Sequence, residues 1–121
     1  MIRIESEKAG KISRITIEGK FVIDEVQKFE SEYMKLLKLN LSVIAIDLSS
    51  TDYIDSSAVG ALVKFMNATK NAEISIYLYN MNASIRHIFK LAFIDRFFNI
   101  TTAEELEEKY PDFNWKGSLK S

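Results

Sequence analysis

Apolar and polar positions change period several times along the chain, and each change marks an element. Ile2 and Ile4 alternate with Arg3 and Glu5, the period of a half-buried strand. Lys8-Ala9-Gly10-Lys11 reads as a tight turn. Ile12, Ile15 and Ile17 with Thr16 then predict a second strand, ending at Gly19 and antiparallel to the first. The period next lengthens: Val26, Phe29, Tyr33, Leu36 and Leu37 share one helical face, with Asp24 as a candidate cap and an end near Lys38. Leu41-Ser42-Val43-Ile44-Ala45-Ile46 is nearly all apolar, as in a strand covered on both faces, and the strand is expected over 41–48.

Polar residues from Asp47 to Asp52 mark the exit from that strand, and the loop Ser49–Ile54 is expected on the surface. Asp55, Ser56 and Ser57 are helix-capping types. Val59, Leu62, Val63 and Met66 follow at helical spacing, so a helix is expected over 56–70. Ile74 to Tyr79 alternates again. Asn82 or Ser84 opens a third helix that turns Ile85, Ile88, Phe89 and Ala92 inward and Arg86, His87 and Lys90 outward. Phe97, Phe98 and Ile100 predict a short edge strand or a packed loop. Thr101 or Thr102 caps a last helix, with Glu104 and Glu105 in its first turn, Ala103, Leu106 and Tyr110 facing inward, and Pro111 beyond its end. The order predicts an α/β fold: one domain over 1–110, with about four helices on a mixed sheet of four to five strands. A C-terminal tail over 111–121 follows, with Trp115 as its only large anchor and loose beyond it.

Length and charge narrow the function. A chain of 121 residues is one domain by length, and at 47 % hydrophobic it can bury a core. Its net charge of -1, with both signs interspersed, is wrong for a nucleic-acid binder, which carries a basic face. The absence of cysteine removes disulfides and thiolate chemistry. The charged, alternating start is unlike a signal peptide, and no apolar run nears the roughly 18 residues of a membrane helix. A soluble cytoplasmic protein with no membrane partner is expected.

The strand–loop–helix junction from Ile46 to Leu62 is where a site is expected, since open α/β sheets gather ligands at strand ends. Asp55, Ser56 and Ser57 also suit a plain helix cap. Asp47 and Asp52 invite a phosphoaspartyl receiver, but that chemistry needs an acidic pair at the end of an earlier strand, where only Glu18 stands. His87 is the single histidine and faces outward. Glu104, Glu105, Glu107 and Glu108 read as a solvated helix face. No nucleophile–base set or metal cluster is legible, so neither an enzyme nor a cofactor is expected.

Val43-Ile44-Ala45-Ile46-Asp47-Leu48, followed by Asp52-Tyr53-Ile54-Asp55-Ser56-Ser57-Ala58-Val59-Gly60-Ala61-Leu62, resembles the signature of STAS domains. More narrowly, it is similar to bacterial anti-sigma factor antagonists, whose usual text is Asp-Ser-Ser-Gly-Leu-Gly opening a helix. Asn80 to Leu91 also looks like that family's turn and third helix, and Gly19 with Phe21 like the end of its second strand. The resemblance implies that Ser56 accepts phosphate from an anti-sigma factor that is itself a serine kinase, with a phosphatase to reverse it. It places Asp24, Asp52, Tyr53, Ile54, Asp55, Ser57, Ala58, Val59 and Gly60 at the partner surface; Ala58, Val59, Ala61 and Leu62 suit plain core equally well. Two positions depart from the family: Ala58 replaces its first glycine, and Val22 stands where an acidic residue is frequent, leaving Asp24 as the nearest carboxylate. The alternative is a STAS scaffold or accessory subunit of a transport or signalling complex, without a phosphoswitch.

Overall fold

The computed structural model describes residues 2–117. Strands β1 (Ile2–Ala9) and β2 (Ile12–Phe21) form an antiparallel hairpin, turned at Gly10 with φ 61°. β2 is the hub of the sheet. Ile12 to Thr16 pair in parallel with β3 (Val43–Asp47), and Gly19 to Phe21 pair in parallel with β4 (Thr51–Ile54). The register shifts between Gly19 and Lys20, and Gly19 has φ 105°, a conformation that favours glycine. Adding β5 (Ser75–Tyr79) and β6 (Asn99–Thr101) gives the order β1-β2-β3-β5-β6, with β4 beside the end of β2. All pairings except β1–β2 are parallel, so the C-terminal ends of β2 to β5 meet along one rim.

The sheet therefore has six strands rather than four or five. The extra one lies in the loop expected over Ser49–Ile54. Thr51 and Ile54 are buried while Asp52 and Tyr53 face water, and the Thr51 hydroxyl donates to the Ile17 carbonyl at 2.7 Å. β2 does not end at Gly19: there it changes partner and continues to Phe21. Of the edge candidates, Ile100 is in β6, while Phe97 closes a 3-10 turn and Phe98 is buried.

Helices α1 (Val26–Leu37), α2 (Ser56–Asn71) and α3 (Ala83–Leu91) pack into the main core on one face. Phe29 lies 5.1 Å from Phe21, 5.4 Å from Tyr33 and 5.6 Å from Phe65, centroid to centroid. Burying such a ring contributes roughly 1.5–3 kcal/mol, which binds α1 and α2 to the sheet and to each other. Asp24 does not cap α1. It sits within a 3-10 turn, Ile23–Glu25, that feeds the helix directly and leaves it without a side-chain cap. Asn82, not Ser84, caps α3, and Thr102, not Thr101, caps α4 (Ala103–Lys109). Ala92 is exposed rather than inward, because α3 ends one residue earlier.

α4 and the residues after it cover the opposite face. Phe113 and Trp115 pack with Ala45, Tyr79, Ala103 and Leu106 into a second, smaller core. Trp115 is thus not the only anchor: Phe113 is buried beside it. Residues 118–121, expected to be loose, lie outside the described residues.

Candidate functional site

The site is built where strands leave the rim. Asp47, 8 % exposed at the end of β3, spends one carboxylate oxygen on the Ser49 amide at 2.9 Å and on the Asn80 side-chain amide at 3.3 Å. Such a carboxylate holds a turn. Asn82 donates to the Thr51 carbonyl at 3.1 Å while its oxygen accepts the Ile85 amide at 2.9 Å. The loops after β3 and β5 are thereby tied together beneath β4.

Asp55 is the second knot. One oxygen of its carboxylate accepts the Ala58 amide at 2.9 Å, capping α2. The other accepts the Ile23 amide at 3.0 Å, and the Asp55 amide itself donates to the Phe21 carbonyl at 3.2 Å. One residue therefore joins the end of β2, the 3-10 turn and the start of α2. Ser56, the first residue of α2, is exposed, and Ser57 is half-buried. Free amides and the helix dipole make this position favourable for an anion. Tyr53 (48 % exposed) and Ile23 (64 % exposed) add apolar surface, and Asp24 and Asp52 are exposed on the same two segments.

The family model for the STAS domain matches residues 3–108. The chain belongs to the STAS domain family. Its fold is similar to that of a Thermotoga maritima protein assigned as an anti-sigma factor antagonist, with a TM-score of 0.78 at 19 % identity, covering 87 % of this chain and 92 % of that one. It is similar also to the anti-sigma factor antagonist SpoIIAA in its unphosphorylated form, with a TM-score of 0.77 at 16 % identity, covering 93 % and 99 %. The phosphorylated form of Bacillus SpoIIAA matches with a TM-score of 0.69 at 16 % identity, covering 88 % and 98 %.

In this STAS domain the residues expected at the partner surface divide by burial. Asp24, Asp52, Tyr53 and Gly60 are exposed, and Asp55, Ser57 and Val59 are partly so. Ile54 and Ala58 are corrections: at 1 % and 0 % exposed, their side chains belong to the core and cannot meet a partner. Ala58 points into the sheet because it lies one turn before Leu62 on the same face of α2. A Cβ at Gly60 would meet nothing within 4 Å, so the fold does not require that glycine. Ile23 was not foreseen. Its only signal was surplus: Phe21-Val22-Ile23 holds more consecutive apolar residues than a strand end can bury. Val22, where the family frequently has an acid, is half-buried, and its carbonyl accepts the Glu25 amide at 2.8 Å.

Proposed function

We propose that this STAS domain is an anti-sigma factor antagonist that works by partner switching. Unmodified, it binds an anti-sigma factor serine kinase; phosphorylated on Ser56, it lets go. The observation that carries this reading is the exposed position of Ser56 at the start of α2, on a rim flanked by Tyr53, Ile23, Asp24 and Asp52. In the transfer, the Ser56 Oγ attacks the γ-phosphorus of ATP held by the kinase. The bond to the departing ADP breaks, and the hydroxyl proton passes to a base on the kinase. Asp55 is poorly suited as that base, because both its oxygens already accept backbone amides. The new dianion tolerates the helix start but adds to a rim carrying Asp24, Asp52 and Asp55, and it repels and desolvates a partner docked there.

The role is regulatory rather than catalytic and needs no cofactor. No helix among the described residues is long and apolar enough to cross a membrane, which suits a cytoplasmic partner. A scaffold or accessory subunit in a transport or signalling complex is the second reading, favoured by the apolar Val22. Incubation with an anti-sigma kinase and ATP, followed by phosphopeptide mapping, decides between them. One phosphate on Ser56 is expected. Modification of Ser57 alone, or of neither serine, overturns the switch.

A further inference from the structure

Ile23 and Asp55 are 32 residues apart and share one hydrogen bond. The bond runs from the Ile23 backbone, so it fixes where the turn Ile23–Glu25 stands, and with it a side chain that is 64 % exposed. That turn leads into α1 without a side-chain cap, and none of its three residues is buried. Asp55 therefore holds in place a turn that has little packing of its own. The residue that follows Asp55 is Ser56.

We propose that Ile23 is an anchor for the partner and that Asp55 couples its position to the charge on Ser56. This rests on the reading of Ser56 as the phosphoacceptor. In the unmodified chain, the carboxylate divides its oxygens between the Ile23 and Ala58 amides, and Ile23 stands as a fixed apolar knob. The occupant of this surface is the kinase partner, which needs an apolar pocket for Ile23 and a basic rim to match Asp24 and Asp52. Phosphate on the adjacent serine places a dianion next to this carboxylate and competes with it for the amides of the first turn. The carboxylate can relieve the repulsion by giving up the Ile23 amide, because that bond is exposed and the amide can turn to water. The turn then loosens and the anchor is lost. Asp55 acts here as a positioning residue, through Ile23, and takes no part in phosphoryl transfer.

The test uses the full chain, labelled with nitrogen-15, with phosphoserine installed at position 56 by genetic encoding so that no kinase is involved. In the phosphorylated chain the Ile23 amide proton should move upfield and exchange with solvent roughly tenfold faster, as expected when a local bond opens. Amides of the β1–β2 hairpin should not change. An Ile23 amide that stays put while those of Ser56 and Ser57 shift overturns the coupling. Asp55→Asn keeps a single acceptor oxygen for two amides, so with that oxygen capping α2 the Ile23 amide is already released and should be nearly indifferent to the modification; a full response in that variant also overturns it. The comparison of native and phosphorylated chains stands even if Asp55→Asn folds poorly. Ile23→Ala should weaken binding of the unmodified protein to the kinase roughly tenfold with its melt unchanged, and unaltered affinity removes the anchor. If the kinase ignores Ser56 but installed phosphate frees Ile23, partner switching fails while the coupling stands. If the kinase modifies Ser56 and Ile23 does not move, the reverse holds.

Discussion

The guanidinium of Arg14 donates to the carbonyl oxygen of Asn114 at 2.7 Å, a contact that spans 100 residues. Arg14 is 1 % exposed. It also reaches Glu7 at 3.1 Å and, more weakly, the Tyr79 hydroxyl and the Trp115 carbonyl, each at 3.4 Å, and it lies 5.2 Å from the Phe113 ring centroid. Burial disfavours its charge, but the bonds to Tyr79 and Glu7 outweigh that and hold its pKa above the usual arginine value. One buried cation thus clamps the C-terminal segment onto the sheet.

Removing the clamp should loosen that segment. Arg14→Ala leaves the Asn114 carbonyl without its donor, leaves the Trp115 carbonyl only the Tyr79 hydroxyl at 3.3 Å, and opens space under Phe113. A loss of about 3 kcal/mol is expected in urea unfolding, from orphaned polar groups and lost packing together. Trp115 fluorescence should shift to the red before global unfolding. An unchanged midpoint and spectrum would show that the segment holds itself.

Ser56→Asp should weaken kinase binding at least tenfold while changing stability by less than about 1 kcal/mol, since a carboxylate is welcome at an exposed helix start. A binding titration run beside a thermal melt checks both halves. Unchanged affinity counts against the switch, and a collapsed melt shows that the position is structural.

Gly60→Ala should raise stability by roughly 0.5–1 kcal/mol, because glycine is a poor helix former and the added methyl meets open space. The same methyl should lower affinity for a partner that packs closely on α2. Higher stability with undiminished binding would place Gly60 outside the interface.

Alkaline pH should destabilise the protein through its buried phenols. Burial, helped by the Asp47 carboxylate and opposed by Arg14, pushes Tyr79 up to about 12. An unfolded tyrosine titrates near 10, so below that pH both states are protonated and no stability is lost. Between about 10 and 12 the unfolded state releases its proton first, so stability falls as pH rises. Burial and the Tyr77 hydroxyl hold Tyr110 up to about 12 as well, which adds to the same fall. Urea midpoints across this range should decline, and less steeply for Tyr79→Phe; parallel declines would take Tyr79 out of the explanation.

The capping and periodicity of this chain were legible because their causes are local. Asp55 binds an amide three residues on, as do Asn82 and Thr102, and spacing alone identifies all three as candidates. Alternation across Ile74–Tyr79 and the 3.6-residue period of α1 each follow from one covered face. β4 had no such signal. Four residues with two exposed make no period, and they become a strand only because the end of β2 is left unpaired after Gly19.

Sequence alone determined the α/β class, the order of the main elements, the STAS signature and the serine at the start of α2, since each rests on neighbours within a turn or two. Tertiary structure alone decided what each side chain faces. Ile54 and Ala58 lie in the signature but point into the core, while Ile23, outside it, stands in solvent. Arg14 carries no signal of burial in the sequence; only the fold brings Asn114 and Trp115 over it. Asp55 reads as a helix cap until the chain brings Ile23 to its second oxygen. The physical reason is the same in each case: burial and hydrogen bonding depend on which distant segments the sheet brings together, and a one-dimensional pattern does not contain that pairing.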